Sequence, residues 1–292
     1  MTLQHLVFDF DGTCTEIPQA DQAFLAAYLA ALRAAVEPVR VSDGEWSDAL
    51  CTVRRCSPEE GWRLGGTPAA PAAADPYVLA YETGALLAHR RQFRLPGDLH
   101  AQALKHAEAP LRAELPEVLA AVDALGVQIT FISNSSTTVV GARLDEALGA
   151  GSPLRQKIAV LGDASKFTVR EPSANYDGPV DARLLAAFRA LPVEGPRLLQ
   201  RPLYLRRGGY FAQLAKVWGS DALAPSRTLV CGDIWELDLA LPAALGCAVH
   251  LIERAPPYQT CGYELEALGL CLRGRSSSDL HGLLAHARAL LA

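Results

Sequence analysis

The sequence Leu6-Val7-Phe8-Asp9-Phe10-Asp11-Gly12-Thr13 joins an apolar run to two carboxylates and a glycine turn. Alternate side chains of a strand point the same way, so Asp9 and Asp11 share a face if the strand continues. Two carboxylates this close raise each other's pKa unless a cation lies between them. The segment therefore indicates a metal site, or a pair in which one carboxyl group is a nucleophile and the other an acid and base. The simpler alternative is an Asp-Gly turn.

The composition is that of an ordinary soluble globular protein. The chain has 292 residues, which is long enough for one large domain or two modest ones. Of these residues, 50% are hydrophobic and 20% are charged. A net charge of −5 with scattered basic residues predicts no nucleic-acid partner. No signal-peptide pattern and no apolar stretch of membrane-spanning length is present, so we expect no membrane partner. Seven cysteines without a CxxC pair favour reduced thiols in a cytoplasmic protein and do not predict structural zinc.

Short apolar runs bounded by glycine alternate with helical patterns along most of the chain. The predicted strands cover residues 3–10, 127–132, 157–161, 228–231 and 248–252. This alternation is typical of an α/β fold, with a Rossmann-like three-layer core built on a parallel sheet. Residues 20–110 show helical spacing and no strand pattern. We therefore predict a core domain of residues 1–19 and 111–292, interrupted by a helical domain of residues 20–110.

Polar side chains follow two further predicted strands. Ser133 and Asn134 come after the strand 127–132 and precede a helix, where a hydroxyl and free backbone N–H groups can bind phosphate. The alternative is that both residues only cap the helix. Asp233 follows the strand 228–231, and Asp238 lies about one helical turn further on, so the two acids can complete an oxygen cage for Mg²⁺. Glu236, between them, is expected on the solvent face.

Three of these segments resemble motifs of the haloacid dehalogenase-like (HAD) superfamily of phosphohydrolases. Asp9-Phe10-Asp11-Gly12-Thr13 resembles motif I (DxDGT), the strand ending in Ser133 resembles motif II, and Gly232-Asp233-Ile234-Trp235-Glu236-Leu237-Asp238 resembles motif IV in its GDxxxxD form. The resemblance covers about two thirds of the chain. It implies that residues 20–110, which lie between motifs I and II, form a helical cap that selects substrate.

The third motif departs from the family pattern. Members of the superfamily generally use a lysine, often in a Lys-Pro pair, at the start of the helix before the motif IV strand. That place holds Arg206 and Arg207 here, and Lys166 in Gly162-Asp163-Ala164-Ser165-Lys166 is the competing candidate. Arginine can bind phosphate through two parallel hydrogen bonds and stays charged. The order of preference from spacing is Arg206, then Lys166, then Arg207.

The resemblance implies a Mg²⁺-dependent phosphomonoester hydrolase acting on a small phosphorylated metabolite through an aspartyl-phosphate. In this interpretation Asp9 is the nucleophile and Asp11 is the acid and base. The ligands of Mg²⁺ are Asp9, the backbone carbonyl of Asp11, Asp233 and Asp238, and the phosphate-binding candidates are Ser133, Asn134, Arg206 and Lys166. A phosphomutase of the same superfamily and an impaired binding protein remain alternatives, and the sequence does not indicate the oligomeric state. The superfamily's dehalogenases lack an acid at the Asp11 position, which disfavours a carbon–halogen substrate.

Overall fold

The computed structural model describes residues 2–36, 40–61, 63–64, 67–105, 109–172, 180–195 and 197–292. The chain divides into two compact units. The core unit comprises Met1–Thr15, Leu111–Arg254 and Thr260–Ala292, and the helical unit comprises Glu16–Pro110 and Ala255–Gln259. Residues 16–19 and 255–259, which the sequence assigned to the core, thus lie in the helical unit.

The elements of the core unit alternate along the chain as the sequence predicted, although residues 274–277 form a further strand that was not predicted. The strands of the chain are β1 (His5–Phe8), β2 (Arg63–Leu64), β3 (Thr67–Pro68), β4 (Gln128–Ile132), β5 (Ala159–Leu161), β6 (Thr228–Gly232), β7 (Ala248–Ile252) and β8 (Gly274–Ser277). The helices are α1 (Asp21–Ala35), α2 (Asp43–Cys56), α3 (Pro76–Arg91), α4 (Leu99–Leu104), α5 (Leu115–Ala124), α6 (Thr137–Leu148), α7 (Pro153–Lys157), α8 (Ala182–Ala190), α9 (Gly208–Trp218), α10 (Ala240–Ala244), α11 (Gly262–Gly269) and α12 (Leu280–Leu291).

Six strands of the core unit form one parallel sheet in the order β5-β4-β1-β6-β7-β8. Strand β1 lies near the centre, and its alternate side chains enter different apolar clusters. Leu6 and Phe8 pack with residues of α5, α6 and α12, whereas Val7 packs with residues of α8, α9, α10 and α11. Both faces of the sheet are therefore covered by helices, which explains the continuous apolar runs. The predicted Rossmann-like, three-layer α/β class is confirmed.

The register of the sheet places three predicted site segments side by side. Phe8 of β1 is paired with Phe131 of β4 and with Cys231 of β6. Since the strands are parallel, the residues that follow them lie at the same edge of the sheet. Ligands of open α/β sheets bind at the carboxyl ends of the strands, at the topological switch point where the strand order reverses. Asp9, Ser133 and Asp233 each follow one of these three strands.

The helical unit packs α1, α2, α3 and α4 around its own apolar cluster, which includes Phe24, Tyr28, Leu32 and Trp46. The spacing of the apolar residues Trp46, Leu50, Val53 and Trp62 predicts a helix over residues 44–63. Helix α2 ends at Cys56, so this prediction is wrong for residues 57–61 and 63. Ser57 precedes a proline, whose ring disfavours helical backbone angles at the residue before it. The short antiparallel pair of β2 and β3 follows, in a region where no strand was predicted. Within the described ranges, no helix is both long and apolar enough to cross a membrane.

Candidate active site

Asp9 is the first polar residue after β1, and both oxygens of its buried carboxylate accept hydrogen bonds. Lys166 Nζ donates to Asp9 Oδ1 at 2.6 Å, and Thr13 Oγ1 donates to Asp9 Oδ2 at 2.9 Å. Only 7% of Asp9 is exposed. Burial and the charge of Asp238 raise the pKa of Asp9 to about 7, and the ammonium group of Lys166 opposes this rise. The carboxylate is therefore held in one orientation in a site that resists its negative charge.

Lys166 is the buried cation of the site. Its Nζ donates to Asp9 Oδ1 and, at 2.9 Å, to Asp238 Oδ1, and only 1% of the residue is exposed. Burial alone would lower the pKa of Lys166, but the charges of Asp238 and Asp9 outweigh burial and raise it above its usual value. The side chain therefore keeps its positive charge between two carboxylates.

A strained loop delivers Lys166 to this position. Asp163 and Ser165 have φ angles of 52° and 50°, in the left-handed region that costs a non-glycine residue of order 1 kcal/mol. The backbone N–H of Lys166 donates to Asn134 Oδ1 at 2.8 Å, and Arg207 Nη1 donates to the carbonyl of Lys166 at 2.8 Å. These bonds from two other segments hold the loop in its strained path.

Asp233 and Asp238 complete the acidic part of the site from the end of β6. Asp238 Oδ2 accepts from the backbone N–H of Ile234 at 3.0 Å, and Asp233 Oδ1 lies 3.3 Å from Thr13 Oγ1. Gly12, with φ of +85°, lets the turn pass close by, because a Cβ atom there would lie 2.8 Å from Asp233 Cγ. The glycine of the DGT turn is thus required by both its backbone angle and its contact with Asp233.

The donor set of Asp9, Asp233 and Asp238 fits a divalent cation. One carboxylate oxygen from each lies within 4.8 Å of the others, and all three residues are buried. Lys166 contacts Asp9 and Asp238, and Arg254 Nη1 lies 4.0 Å from Asp233 Oδ2. Arg254 also pairs with the buried Glu264 at 2.6 Å, so four carboxylates face two cations, which leaves an excess of buried negative charge. Hard oxygen ligands and uncompensated charge are what Mg²⁺ requires.

Asp11 lies apart from this trio. Its Oδ2 atom accepts from Ser135 Oγ at 2.7 Å and from Ser133 Oγ at 3.2 Å. The side chain of Asp11 is therefore not one of the clustered metal donors, and coordination through its backbone carbonyl stays a prediction. Ser135 was missed by sequence reasoning, although its spacing of two residues from Ser133 is the signal of side chains that share a direction in extended backbone.

The three basic candidates for the third motif lie in different places. Arg206 is turned away from the carboxylates, because its Nε donates to the carbonyl of Leu191 and its Nη1 pairs with Glu171 at 2.9 Å. Arg207 is fully buried behind the lysine loop. The preference for Arg206 is therefore corrected in favour of Lys166. Spacing along the chain could not distinguish them, because the loop before Lys166 returns to β1 through tertiary contacts. The side-chain amide oxygen of Asn134 accepts from the backbone N–H of Lys166, and a contact of Asn134 with substrate stays a prediction.

Glu236 is buried, with 1% exposure, rather than on the solvent face. Its carboxylate pairs with the guanidinium of Arg201 and accepts from Tyr263 Oη at 2.8 Å. The expectation of an exposed residue assumed an α-helix, whereas residues Trp235–Leu239 form a π-helical turn that is buried at every position. This wider turn places both Glu236 and Asp238 inside the protein.

No protein-family model matches the chain, and no curated protein is significantly similar to it. Similar solved structures include a haloacid dehalogenase-like family hydrolase from Xanthomonas campestris, with 18% identity, a TM-score of 0.49 and coverage of 99% of this chain and 96% of that one. A predicted phosphoglycolate phosphatase from Haemophilus somnus has 16% identity, a TM-score of 0.44 and coverage of 86% and 85%. The HAD-hydrolase YfnB from Bacillus subtilis, bound to magnesium, has 13% identity, a TM-score of 0.48 and coverage of 99% and 100%.

Other similar structures are described as dehalogenases. The similar proteins thus include HAD-like hydrolases with different named reactions. At these identities and TM-scores the likeness concerns overall architecture alone. The chemistry of this chain must be judged from the residues of its own site.

Proposed function

We propose that this chain is a HAD-like hydrolase that cleaves phosphomonoesters of small metabolites with the help of Mg²⁺. The observation that carries the proposal is the position of Lys166 Nζ between Asp9 Oδ1 and Asp238 Oδ1, at 2.6 and 2.9 Å. A buried carboxylate beside a fixed ammonium group is suited to attack an anionic phosphoryl group, because the ammonium offsets the repulsion between the two anions.

The proposed reaction has two displacement steps at phosphorus. An oxygen of Asp9 forms a bond to phosphorus while the bond from phosphorus to the ester oxygen breaks, and Asp11 gives its proton to that leaving oxygen. A water oxygen then bonds to phosphorus while the Asp9–phosphorus bond breaks, and Asp11 takes a proton from the water. The free enzyme and inorganic phosphate result, with Asp11 again protonated.

Mg²⁺ bound by Asp9, Asp233 and Asp238 would neutralise charge on the phosphoryl oxygens, and the Asp11 carbonyl is a further proposed ligand. Lys166 would bind one phosphoryl oxygen and keep Asp9 oriented. Ser133, whose Oγ accepts from the backbone N–H of Ser135 at 2.9 Å, is the proposed hydroxyl contact to the phosphoryl group. Its single proton, which the free chain donates to Asp11 Oδ2 at 3.2 Å, would turn to a phosphoryl oxygen when substrate binds. These residues all belong to the core unit, whose carboxyl edge carries the site.

We assign the helical unit the role of a cap that selects substrate. The proposed partner of the protein is a small phosphorylated substrate, and its proposed compartment is the cytoplasm. Asp11 favours phosphoryl over halide chemistry, since a halide leaving group needs no proton donor. A phosphomutase would share the first step and differ only in the acceptor of the phosphoryl group. The buried Asp9, Asp233, Asp238 and Lys166 together argue against an impaired binding protein.

Phosphate release from a panel of metabolite phosphates and from 4-nitrophenyl phosphate, with Mg²⁺ and with a chelator, tests the proposal. We expect Mg²⁺-dependent release that is lost in Asp233→Asn and kept in the control Glu171→Gln, which changes an exposed acid outside the site. Formation of an isomeric sugar phosphate without free phosphate would favour the mutase. No release from any ester in the presence of Mg²⁺ would contradict the proposed function.

A further inference from the structure

The carboxylate of Asp11 is held through one of its two oxygens. Ser135 Oγ donates to Asp11 Oδ2 at 2.7 Å, and Ser133 Oγ donates to the same oxygen at 3.2 Å. Among the residues that the structure describes, none donates a hydrogen bond to Asp11 Oδ1. The two oxygens of this partly exposed carboxylate are therefore unequal, because only Oδ2 accepts hydrogen bonds from described residues.

The shorter of the two bonds comes from a residue with a fixed backbone. The carbonyl of Ser135 accepts from the backbone N–H of Asp163 at 3.1 Å, and the carbonyl of Ser133 accepts from Ala164 at 3.0 Å. Gly162 lies so close that a Cβ atom there would be 2.6 Å from the carbonyl oxygen of Ser135. The Ser133–Ser135 segment is thus packed against the loop that carries Lys166, which fixes the backbone from which the Ser135 side chain reaches Asp11.

We infer that Ser135 is the positioning residue of Asp11. Its hydroxyl occupies Oδ2, so that the transferable proton of Asp11 is carried on Oδ1 and points toward the leaving oxygen. A carboxyl group that rotates freely would present either oxygen and lose part of the benefit of a preset geometry. The inference rests on the proposed function, because it assigns Asp11 the role of acid and base at the same site.

The proton transfers balance in both steps. In the first step the proton leaves Asp11 Oδ1 for the ester oxygen as the phosphorus–oxygen bond breaks, and Asp11 becomes a carboxylate. In the second step a proton from the attacking water returns to Oδ1 as the phosphoryl group leaves Asp9. Ser135 donates to Oδ2 throughout and exchanges no proton, so its loss should affect only steps in which Asp11 moves a proton.

The test compares two substrates whose leaving groups differ in their need for a proton. An alkyl phosphate such as glycerol 2-phosphate releases a strongly basic alkoxide, whereas 4-nitrophenyl phosphate releases a stable phenolate without help. Positioned acid catalysis contributes about 10²–10⁴-fold, so we expect Ser135→Ala to lower kcat/KM for the alkyl ester by about 10- to 100-fold and for the nitrophenyl ester by less than about threefold. Ser135→Thr keeps a hydroxyl and should restore the wild-type ratio.

Ser136→Ala is the matched control, because Ser136 is the adjacent serine and its Oγ caps α6 by accepting from the N–H of Val139. It should leave the ratio of the two substrates unchanged. An equal loss on both substrates in Ser135→Ala, or in Ser135→Gly if the alanine variant does not fold, would overturn the inference while the proposed function stands. If the wild type releases phosphate from neither ester, the proposed function fails and the inference fails with it.

Discussion

Lys166 Nζ lies 2.6 Å from Asp9 Oδ1, although 157 residues separate the two in sequence. The same ammonium group lies 2.9 Å from Asp238 Oδ1. The end of β1 and the π-helical turn after β6 supply these two carboxylates, and the strained loop after β5 supplies the cation. This pairing joins the start of the core unit to its middle and makes Asp9, the proposed nucleophile, part of a fixed charge arrangement.

Replacing Lys166 should abolish most of the activity, whereas replacing Arg206 should not. Lys166→Met removes the cation beside Asp9, and loss of one such electrostatic group typically costs about 10²–10³-fold in kcat. Arg206→Met removes contacts with Glu171 and the Leu191 carbonyl and should change kcat less than about threefold. Phosphate release by the two purified variants checks this. A larger loss of kcat in Arg206→Met than in Lys166→Met would contradict the assignment and favour Arg206 as the basic residue of the site.

Gly12→Ala should destabilise the protein more than Gly126→Ala does. Both glycines have left-handed backbone, with φ of +85° and +75°, which costs an L-residue about 1–2 kcal/mol. A Cβ atom at Gly12 would also meet the carboxylate of Asp233, whereas nothing lies within 4 Å of one at Gly126. We expect an additional loss of about 1–3 kcal/mol at Gly12, measured by urea unfolding. Equal losses in the free energy of unfolding would contradict the prediction, because they would mean that the Asp233 side chain moves aside at no cost.

A buried pair of histidines should make stability fall as the pH is lowered. His250 Nε2 lies 2.8 Å from Ser277 Oγ, and that hydroxyl donates to the carbonyl of Asp279, so His250 donates through Nε2. His250 Nδ1 then accepts from His286 Nδ1 at 3.3 Å. Burial first, and then the charge of His286, lower the pKa of His250 to about 3. Burial first, and then Arg275 and Arg273, lower the pKa of His286 to about 4.

Because both folded-state pKa values lie below the unfolded value of 6.5, the unfolded chain binds protons first. Stability is therefore complete above pH 6.5 and falls toward pH 4, by roughly 2 kcal/mol for each histidine at pH 5. Urea unfolding between pH 7 and pH 5 should show a smaller decline for His286→Gln than for the wild type. His281→Gln, an exposed change on the same helix, should follow the wild type. Identical declines for wild type and His286→Gln would refute the role of this pair.

The fold and the acids of the site could be predicted because they depend on local patterns. Continuous apolar runs bounded by glycine indicate buried parallel strands, and Asp9 and Asp233 follow such strands directly. The carboxyl edge of the sheet then brings them together whatever lies between them in sequence. The helical insertion was predictable for the same reason, since its apolar spacing changes to that of helices.

Lys166 and Ser135 could not be placed from the sequence. Their positions depend on a loop that turns through Asp163 and Ser165, which adopt left-handed angles without being glycine. Glu236 was misplaced because a π-helical turn changes the spacing on which the solvent-face expectation depended. In the helical unit, the proline after Ser57 ends α2 earlier than its apolar pattern suggested.

The role of Asp9 as nucleophile is the central claim, and trapping the phosphorylated enzyme tests it most directly. We would use Asp11→Asn with 4-nitrophenyl phosphate and Mg²⁺, because this leaving group needs no acid while the loss of the base slows hydrolysis of the intermediate. The reaction is quenched with acid, and the modified residue is located by mass spectrometry. We predict a phosphoryl group on Asp9 that is absent from Asp9→Asn/Asp11→Asn. Release of nitrophenol without any phosphoryl group on Asp9, at a rate that Asp9→Asn leaves unchanged, would contradict the account.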